Sequence, residues 1–188
     1  MVRRSARTRR MEASARSLAR WGGTAAWLGG ISYGAWGYLD NPDASGFVIG
    51  VVGPVLRVTT PALFLGSLVG LYSWPGGGGG PLRRFGLLVG SIGAVLGLFD
   101  ELDWWEPNWW LALLVGLTAV GLDMVFGEAS RLLGVLVLAS GTFGWVSLLT
   151  DPAFSGVLVP TRPVHVAFAA LFCLSCLAWG VTLFREAP

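Results

Sequence analysis

The sequence predicts an all-α membrane protein, a transmembrane bundle of six helices arranged as three antiparallel hairpins. One observation behind this prediction is a series of long apolar stretches that contain almost no charged residue. Another is that the polar segments between these stretches alternate in the sign of their charge, as expected when arginines stay on one side of a bilayer. Within lipid, only helices or closed barrels satisfy every backbone hydrogen bond, and the apolar stretches have the length of helices.

The composition excludes an ordinary soluble domain. Hydrophobic residues make up 54% of the chain and charged residues 13%, whereas a soluble domain averages roughly a quarter charged residues. A single histidine and two cysteines leave little material for a protein-built metal centre or a disulfide framework. We therefore expect no cofactor and no nucleic-acid partner, and we expect any function to lie within the bilayer or at its faces.

Residues 1–20 form a basic segment ahead of a transmembrane domain at residues 21–185. The arginines of this segment are Arg3, Arg4, Arg7, Arg9, Arg10, Arg16 and Arg20. We predict that the segment stays in the cytoplasm and fixes the topology, and a helix lying on anionic headgroups is the alternative. A mitochondrial transit peptide has a similar composition, but the membrane spans that follow at once argue against it.

The first hairpin combines a simple span with a difficult one. Residues 21–39 are apolar and end at a turn, whereas residues 47–74 contain Arg57, Pro54 and Pro61. A straight helix over the second stretch would measure about 40 Å, against roughly 30 Å of hydrocarbon. We therefore expect a break or a strong kink near the two prolines. Residues 45–56 would then lie at the outer interface or tilt steeply, and the span proper would cover residues 58–74.

The other two hairpins follow after a linker of glycines and prolines at residues 75–81. Their spans are predicted at residues 85–99, 109–126, 132–149 and 164–184. Glycines recur four residues apart within the spans, at Gly30/Gly34, Gly66/Gly70, Gly86/Gly90 and Gly93/Gly97. Such pairs allow close helix approach. In a chain with 28 glycines, however, pairs of this kind arise by chance, so they support tight packing only in general.

The arginine distribution assigns the sides of the membrane. With the N-terminus inside, the inner segments also hold Arg83, Arg84, Arg131 and Arg185. Six spans return the C-terminus to the inside, whereas five would place Arg185 on the outer side. We therefore predict a multi-pass protein of a prokaryotic plasma membrane with both termini in the cytoplasm.

The segment between the third and fourth spans is rich in acidic and aromatic residues. Asp100, Asp103 and Glu106 are candidates for a site that binds a divalent metal ion or a cationic ligand, because hard cations prefer oxygen ligands. The favoured interpretation is less specific. The tryptophans of this segment fit an interfacial belt, and carboxylates on the outer side follow from the topology: Trp104, Trp105, Trp109 and Trp110.

Three further residues are candidates for function because they are ionisable and close to the membrane. Arg57 should pair with an outer carboxylate, such as Asp40, Asp43, Asp100, Asp103 or Asp151, instead of lying alone in lipid. Asp123 should reach the inner interface or pair with Arg131, and His165 lies in the first turn of the last span. Cys173 and Cys176 share one helix face at mid-span, where we expect them to be reduced packing residues.

These observations favour a non-enzymatic accessory or scaffold subunit, whose partners are the lipid bilayer and other membrane subunits or further copies of itself. One alternative is a small transporter or channel that uses the hydroxyls of the spans, at Ser32, Ser67, Ser91, Thr118, Ser140, Thr142 and Ser175. A third hypothesis is an intramembrane enzyme that acts at the outer face through the acidic segment and His165. A polar cavity at the bilayer midplane would favour transport.

Overall fold

The computed structural model describes residues 6–39, 46–74, 80–99, 106–127, 131–150 and 162–186. These residues fold into six α-helices and contain no strand, which confirms the predicted all-α class. The helices are α1 (Ala6–Leu39), α2 (Gly46–Ser73), α3 (Pro81–Gly97), α4 (Glu106–Phe126), α5 (Arg131–Thr150) and α6 (Arg162–Glu186).

The six helices form a closed antiparallel ring. Each helix packs against its neighbours in the chain, and α6 packs back against α1. Gly22 of α1 meets Gly70 of α2, and further along α1 the hydroxyl of Ser32 meets Thr60, so the two helices run in opposite directions. The start of α1 and the end of α6 lie at the same end of the bundle, because Gly23 faces the backbone of Phe184.

We call this end of the bundle the basic end. Five exposed arginines lie there, in the first half of α1 and at the termini of α3, α5 and α6: Arg16, Arg20, Arg84, Arg131 and Arg185. Among the described residues, the exposed cations of the helices therefore gather at one end of the ring, with Arg57 of α2 as the exception.

Four helices of the described chain are long and apolar enough to cross a membrane. The qualifying stretches are Val51–Ser73, Trp109–Phe126, Arg131–Leu149 and Val166–Arg185. Helix α3 has 17 residues and a length of about 25 Å, close to the thickness of the hydrocarbon layer. Helix α1 has 34 residues and a length of about 50 Å, so residues 6–20 of the basic segment continue the predicted first span as one helix.

Helix α2 is continuous through both of its prolines, so the expected break is absent, and the strong kink expected as its alternative stays a prediction. Each proline removes one backbone donor, but the rest of the helix keeps its hydrogen bonds, and an unwound segment would expose far more polar backbone to lipid. The hydroxyl of Thr59 adds a hydrogen bond of 2.5 Å to the carbonyl of Val55. Residues 51–56 belong to the stretch that is long and apolar enough to cross a membrane, and the expected interfacial position or steep tilt of residues 45–56 stays a prediction.

Glycines position the helices at their closest contacts. Gly22 and Gly70 bring the backbones of α1 and α2 into direct contact, because a Cβ atom on either would overlap the other residue. All four glycine pairs that the sequence shows take part in helix contacts: Gly30/Gly34 against α6, Gly66/Gly70 against α1, and Gly86/Gly90 and Gly93/Gly97 against α4. Each pair thus lies in a contact between two helices, which the number of such pairs in the sequence could not show by itself.

Candidate functional site

The most unusual polar group of the described bundle is Arg83, which is only 2% exposed. It lies in the first turn of α3, two residues after Pro81, and its guanidinium donates a hydrogen bond to the carbonyl of Leu71. That carbonyl belongs to the last turn of α2, where the regular helix hydrogen bonds end, and it also accepts a hydrogen bond of 3.4 Å from the backbone N–H of Trp74. A cation at this position also interacts favourably with the helix dipole. Arg83 therefore links the start of α3 to the end of α2.

Asp123, in the last turn of α4, lies beside the same group. Its carboxylate lies beside Gly80, the residue that precedes α3. Burial disfavours the charged form of Arg83, and the negative charge of Asp123 partly offsets this. Gly80 offers no side-chain hydrogen bond to the first turn of α3, so Asp123 supplies a negative charge at a helix start that lacks one. We call Arg83, Asp123, Gly80 and the Leu71 carbonyl the Arg83 node.

The Arg83 node joins three helix ends at the basic end of the bundle. The negative charge of Asp123 acts on Arg83, and the expected pairing of Asp123 with Arg131 stays a prediction. Asp123 is half-buried, and its expected reach to the inner interface stays a prediction as well. Both charged groups act on the protein's own backbone or on each other. The node is therefore a structural connection between α2, α3 and α4.

Sequence reasoning treated Arg83 and Arg84 as equivalent flanking charges, and so it missed the buried one. The signal that separates them is the stripe of small residues on the inner face of α3. Its buried positions are Arg83, Gly86, Leu87, Gly90, Gly93, Ala94 and Gly97. The glycines that contact α4 recur every three or four residues and therefore lie on one face of α3. Continued towards the start of the helix, that spacing places Arg83 on the same buried face and Arg84 outside it.

The acidic segment proposed as an outer binding site falls mostly outside the described residues. Asp100 and Asp103 lie outside them, and only the backbone of Glu106, the first residue of α4, is described. For His165, in the first turn of α6, only the backbone is described. Within the described part of the chain, no group of three or more His, Cys, Asp or Glu side chains could hold a metal ion. The outer site stays a prediction.

Arg57 lies on an exposed face of α2, in the outer part of its apolar stretch. It is six residues from Val51, about 9 Å along the helix, and is therefore well away from the basic end. The carboxylates expected to pair with it lie outside the described residues, so that pairing also stays a prediction. An arginine side chain at this depth can extend towards the headgroups.

Two of the tryptophans assigned to the outer belt are part of the core. Trp109 is 3% exposed and Trp110 is 5% exposed, which corrects the expectation that they face the headgroups. Trp109 packs against Gly97 of α3, and Trp110 points into the centre of the ring. Adjacent residues are both buried here because α4 has helix neighbours on several sides. Trp104 and Trp105, the other members of the proposed belt, lie outside the described residues.

Aromatic side chains from four helices meet at the centre of the ring. We call Tyr33, Phe64, Trp110 and Phe172 the central aromatic cluster. Tyr33 stacks on Trp110 with ring centroids 4.8 Å apart, and Phe172 packs edge-on against both rings, at 5.0 and 5.3 Å. Towards the basic end, fully buried side chains continue the filling: Leu68, Leu71, Leu113, Leu114, Leu117, Val120, Met124, Leu133, Trp179 and Leu183.

Most of the hydroxyl groups that could have lined a transport path are engaged in helix contacts. Ser32 and Thr60 share a buried hydrogen bond of 2.7 Å between α1 and α2, and Ser140 donates to Ser175 at 2.9 Å between α5 and α6. Several others donate to the backbone of their own helix: Ser67 to Phe64, Thr118 to Leu114 and Thr142 to Leu138. These hydroxyl groups therefore form hydrogen bonds either between two helices or within their own helix.

The two cysteines pack against the glycines of α1. Both are free thiols, with Cys176 buried and Cys173 partly buried. The Cys176 Cβ lies 3.0 Å from the position that a Cβ on Gly30 would occupy, and Cys173 Sγ lies 3.2 Å from the corresponding position on Gly34. The C-x-x-C spacing therefore serves the contact between α1 and α6, which agrees with the packing role proposed for both residues.

Comparison with protein-family models, with curated proteins and with solved structures gives no match for this chain. Its function must therefore be inferred from its own geometry. The decisive features are the filled centre of the ring, the Arg83 node that closes one seam, and the arginines at the basic end.

Proposed function

We propose that this protein is a non-enzymatic accessory or scaffold subunit of a prokaryotic plasma membrane. The observation that carries the proposal is the filled centre of the ring. The central aromatic cluster, together with the buried leucines between it and the basic end, occupies the space in which a path across the bundle would run. A bundle of this kind offers other membrane proteins, or further copies of itself, a rigid outer surface.

The orientation proposed is six crossings with both termini in the cytoplasm. Two observations support it. The start of α1 and the end of α6 lie at the same end of the ring, and exposed arginines gather at that end. Arginines are retained on the cytoplasmic side of bacterial membranes, so the basic end should face the cytoplasm.

A photo-crosslinking scan in living cells tests the scaffold role. A photoreactive amino acid is placed at exposed positions on three helices, Leu88 of α3, Val135 of α5 and Leu174 of α6, with buried Leu113 as the matched control. We expect a discrete protein adduct from at least one exposed position and none from position 113. Adducts to lipid alone at every exposed position would contradict a role in assembly.

Reconstitution into vesicles tests the alternative of transport. We expect vesicles with the purified protein to have the same permeability to protons, potassium ions and small neutral solutes as protein-free vesicles. A protein-dependent flux would contradict the scaffold proposal. If substitution of Phe172 by alanine opened a flux that the wild type lacks, the filled centre would be identified as the barrier, in agreement with the proposal.

A further inference from the structure

A groove lies at the basic end, between the start of α1 and the end of α6. It has a volume of about 590 Å³ and is lined by one face of α1, from Ala13 to Thr24, and by Phe184 of α6. The lining positions of α1 are spaced three and four residues apart, so they form one continuous helix face. Neither the Arg83 node nor the central aromatic cluster contributes to this groove.

Two arginines one turn apart give the groove its charge. Arg16 and Arg20 are both exposed and both line it. Arg16 uses its Nε to donate a hydrogen bond of 3.4 Å to the Glu12 carbonyl, and a guanidinium has two further nitrogens that can donate. Paired guanidinium groups suit phosphate oxygens, which they can bind in a bidentate manner. Ser17 lies between the two arginines in sequence and adds a hydroxyl to the same lining.

Two large aromatic rings lie beside these cations. Trp21 is 70% exposed and Phe184 is 51% exposed, and both line the groove. A free phosphate ion would leave both rings uncovered. The acyl chains of a phospholipid would cover them, because tryptophan at the membrane interface has its ring among lipid and its N–H near water.

The depth of the groove matches the headgroup layer. The sequence places the start of the first predicted span at Trp21, and at a rise of 1.5 Å per residue Arg20 and Arg16 lie about 1.5 and 7.5 Å beyond it along α1. The polar layer on each side of a bilayer is about 5–8 Å thick. Both guanidinium groups therefore reach the layer in which lipid phosphates lie.

We propose that this groove binds one anionic phospholipid, with its phosphate between Arg16 and Arg20 and its acyl chains against Trp21 and Phe184. The site is independent of the scaffold role, because it needs only the groove and a bilayer that contains anionic lipid. A zwitterionic phospholipid carries a cationic ammonium group beside its phosphate and is neutral overall, so the two arginines attract it less and the site should discriminate by headgroup charge.

Native mass spectrometry of the full-length protein in neutral detergent tests the proposal, with phosphatidylglycerol as the probe. We expect Arg16→Gln/Arg20→Gln to weaken retention of the lipid about 30-fold, since each arginine near an anionic lipid surface contributes roughly a fivefold effect. Arg16→Lys/Arg20→Lys should restore most of the binding. The matched control is Arg84→Gln/Arg131→Gln, which removes the same charge from α3 and α5. Neither helix neighbours α1 in the ring, and we expect a change below twofold.

Three further measurements decide the source of the phosphate. Phosphatidylcholine should bind at least tenfold more weakly, and inorganic phosphate at the same concentration should not displace phosphatidylglycerol. Trp21→Ala/Phe184→Ala, two exposed positions whose change should leave folding intact, should weaken lipid binding. Displacement by inorganic phosphate would show a site for a soluble anion. That result, or equal losses in the groove and control variants, would overturn the proposal.

Discussion

The contacts that α2 makes with its two neighbours differ in kind. Against α1, the backbones touch at Gly22 and Gly70, and a buried hydroxyl pair joins Ser32 to Thr60 at 2.7 Å. Helices α2 and α3 pack less closely than any other pair of adjacent helices in the ring. This second seam has a charged connection at the basic end, where Arg83 reaches the last turn of α2.

The difference shows two ways in which helices associate in lipid. Apolar burial drives little association there, since lipid tails are as apolar as leucine. Helices within the first hairpin come together because glycines allow close contact. The first and second hairpins are joined by the long side chain of Arg83, which reaches from α3 to the last turn of α2. The closed ring therefore depends on small residues at one seam and on one buried cation at the next.

The largest expected effect comes from the glycine seam. Gly70→Ala would place a Cβ atom on the Gly22 backbone, and we expect a loss of about 3 kcal/mol in unfolding free energy, because two helices must separate. Gly53→Ala on the same helix is the control, since no atom of the described residues, apart from the surrounding backbone of α2, lies within 4 Å of its new Cβ. Thermal unfolding in detergent measures both variants. Equal effects would contradict the close contact between α1 and α2.

The next effect comes from the charged seam. We expect Arg83→Met to cost about 2 kcal/mol, because it removes a charged donor from a buried carbonyl, whereas Arg84→Met should change stability by less than about 0.5 kcal/mol. The two arginines are adjacent, and only the first is buried. A similar cost for both substitutions would show that Arg83 acts only as surface charge.

A double-mutant cycle tests the partner assigned to Asp123. Arg83→Met and Asp123→Asn should be coupled by about 0.5–1 kcal/mol, since the carboxylate favours the charge of Arg83. The parallel cycle with Arg131→Met should give no coupling. A larger coupling with Arg131 would instead support the pairing that the sequence suggested.

A smaller effect is expected from the hydroxyl pair between α1 and α2. Ser32→Ala should cost about 0.6 kcal/mol, the average for interhelical hydrogen bonds in a membrane protein. Thr59→Val, which removes a hydroxyl bonded only to its own helix, is the matched control and should cost less. If Thr59→Val were the more costly change, the hydroxyl pair would not contribute to the seam.

The smallest effect is expected from the cysteines. Cys173→Ala/Cys176→Ala keeps the Cβ of Cys176 that packs near Gly30 and, near Gly34, removes only the Sγ of Cys173, so thermal stability should be nearly unchanged. Expression and any growth phenotype should be unchanged, because the thiols are reduced packing groups. A redox-linked phenotype in the double variant would contradict this assignment.

The sequence predicted the helices and their pairing because both depend on local properties. Apolar length and arginine position identify spans without knowledge of the neighbours. Whether Arg83 or Arg84 is buried, and whether Trp110 faces headgroups or the core, depends on which helices surround that face. The effect of Pro54 and Pro61 also depends on the environment, because lipid makes an unwound backbone more costly than two missing donors.

We propose a ring that crosses the membrane six times with its basic end in the cytoplasm. Cysteine accessibility in intact cells tests it most directly, in the Cys173→Ala/Cys176→Ala background. We expect single cysteines at positions 43, 103 and 155 to react with a membrane-impermeant maleimide, and cysteines at positions 78 and 129 to react only after permeabilisation. Labelling of position 78 or 129 in intact cells, or protection of any of the other three, would contradict the six-crossing ring.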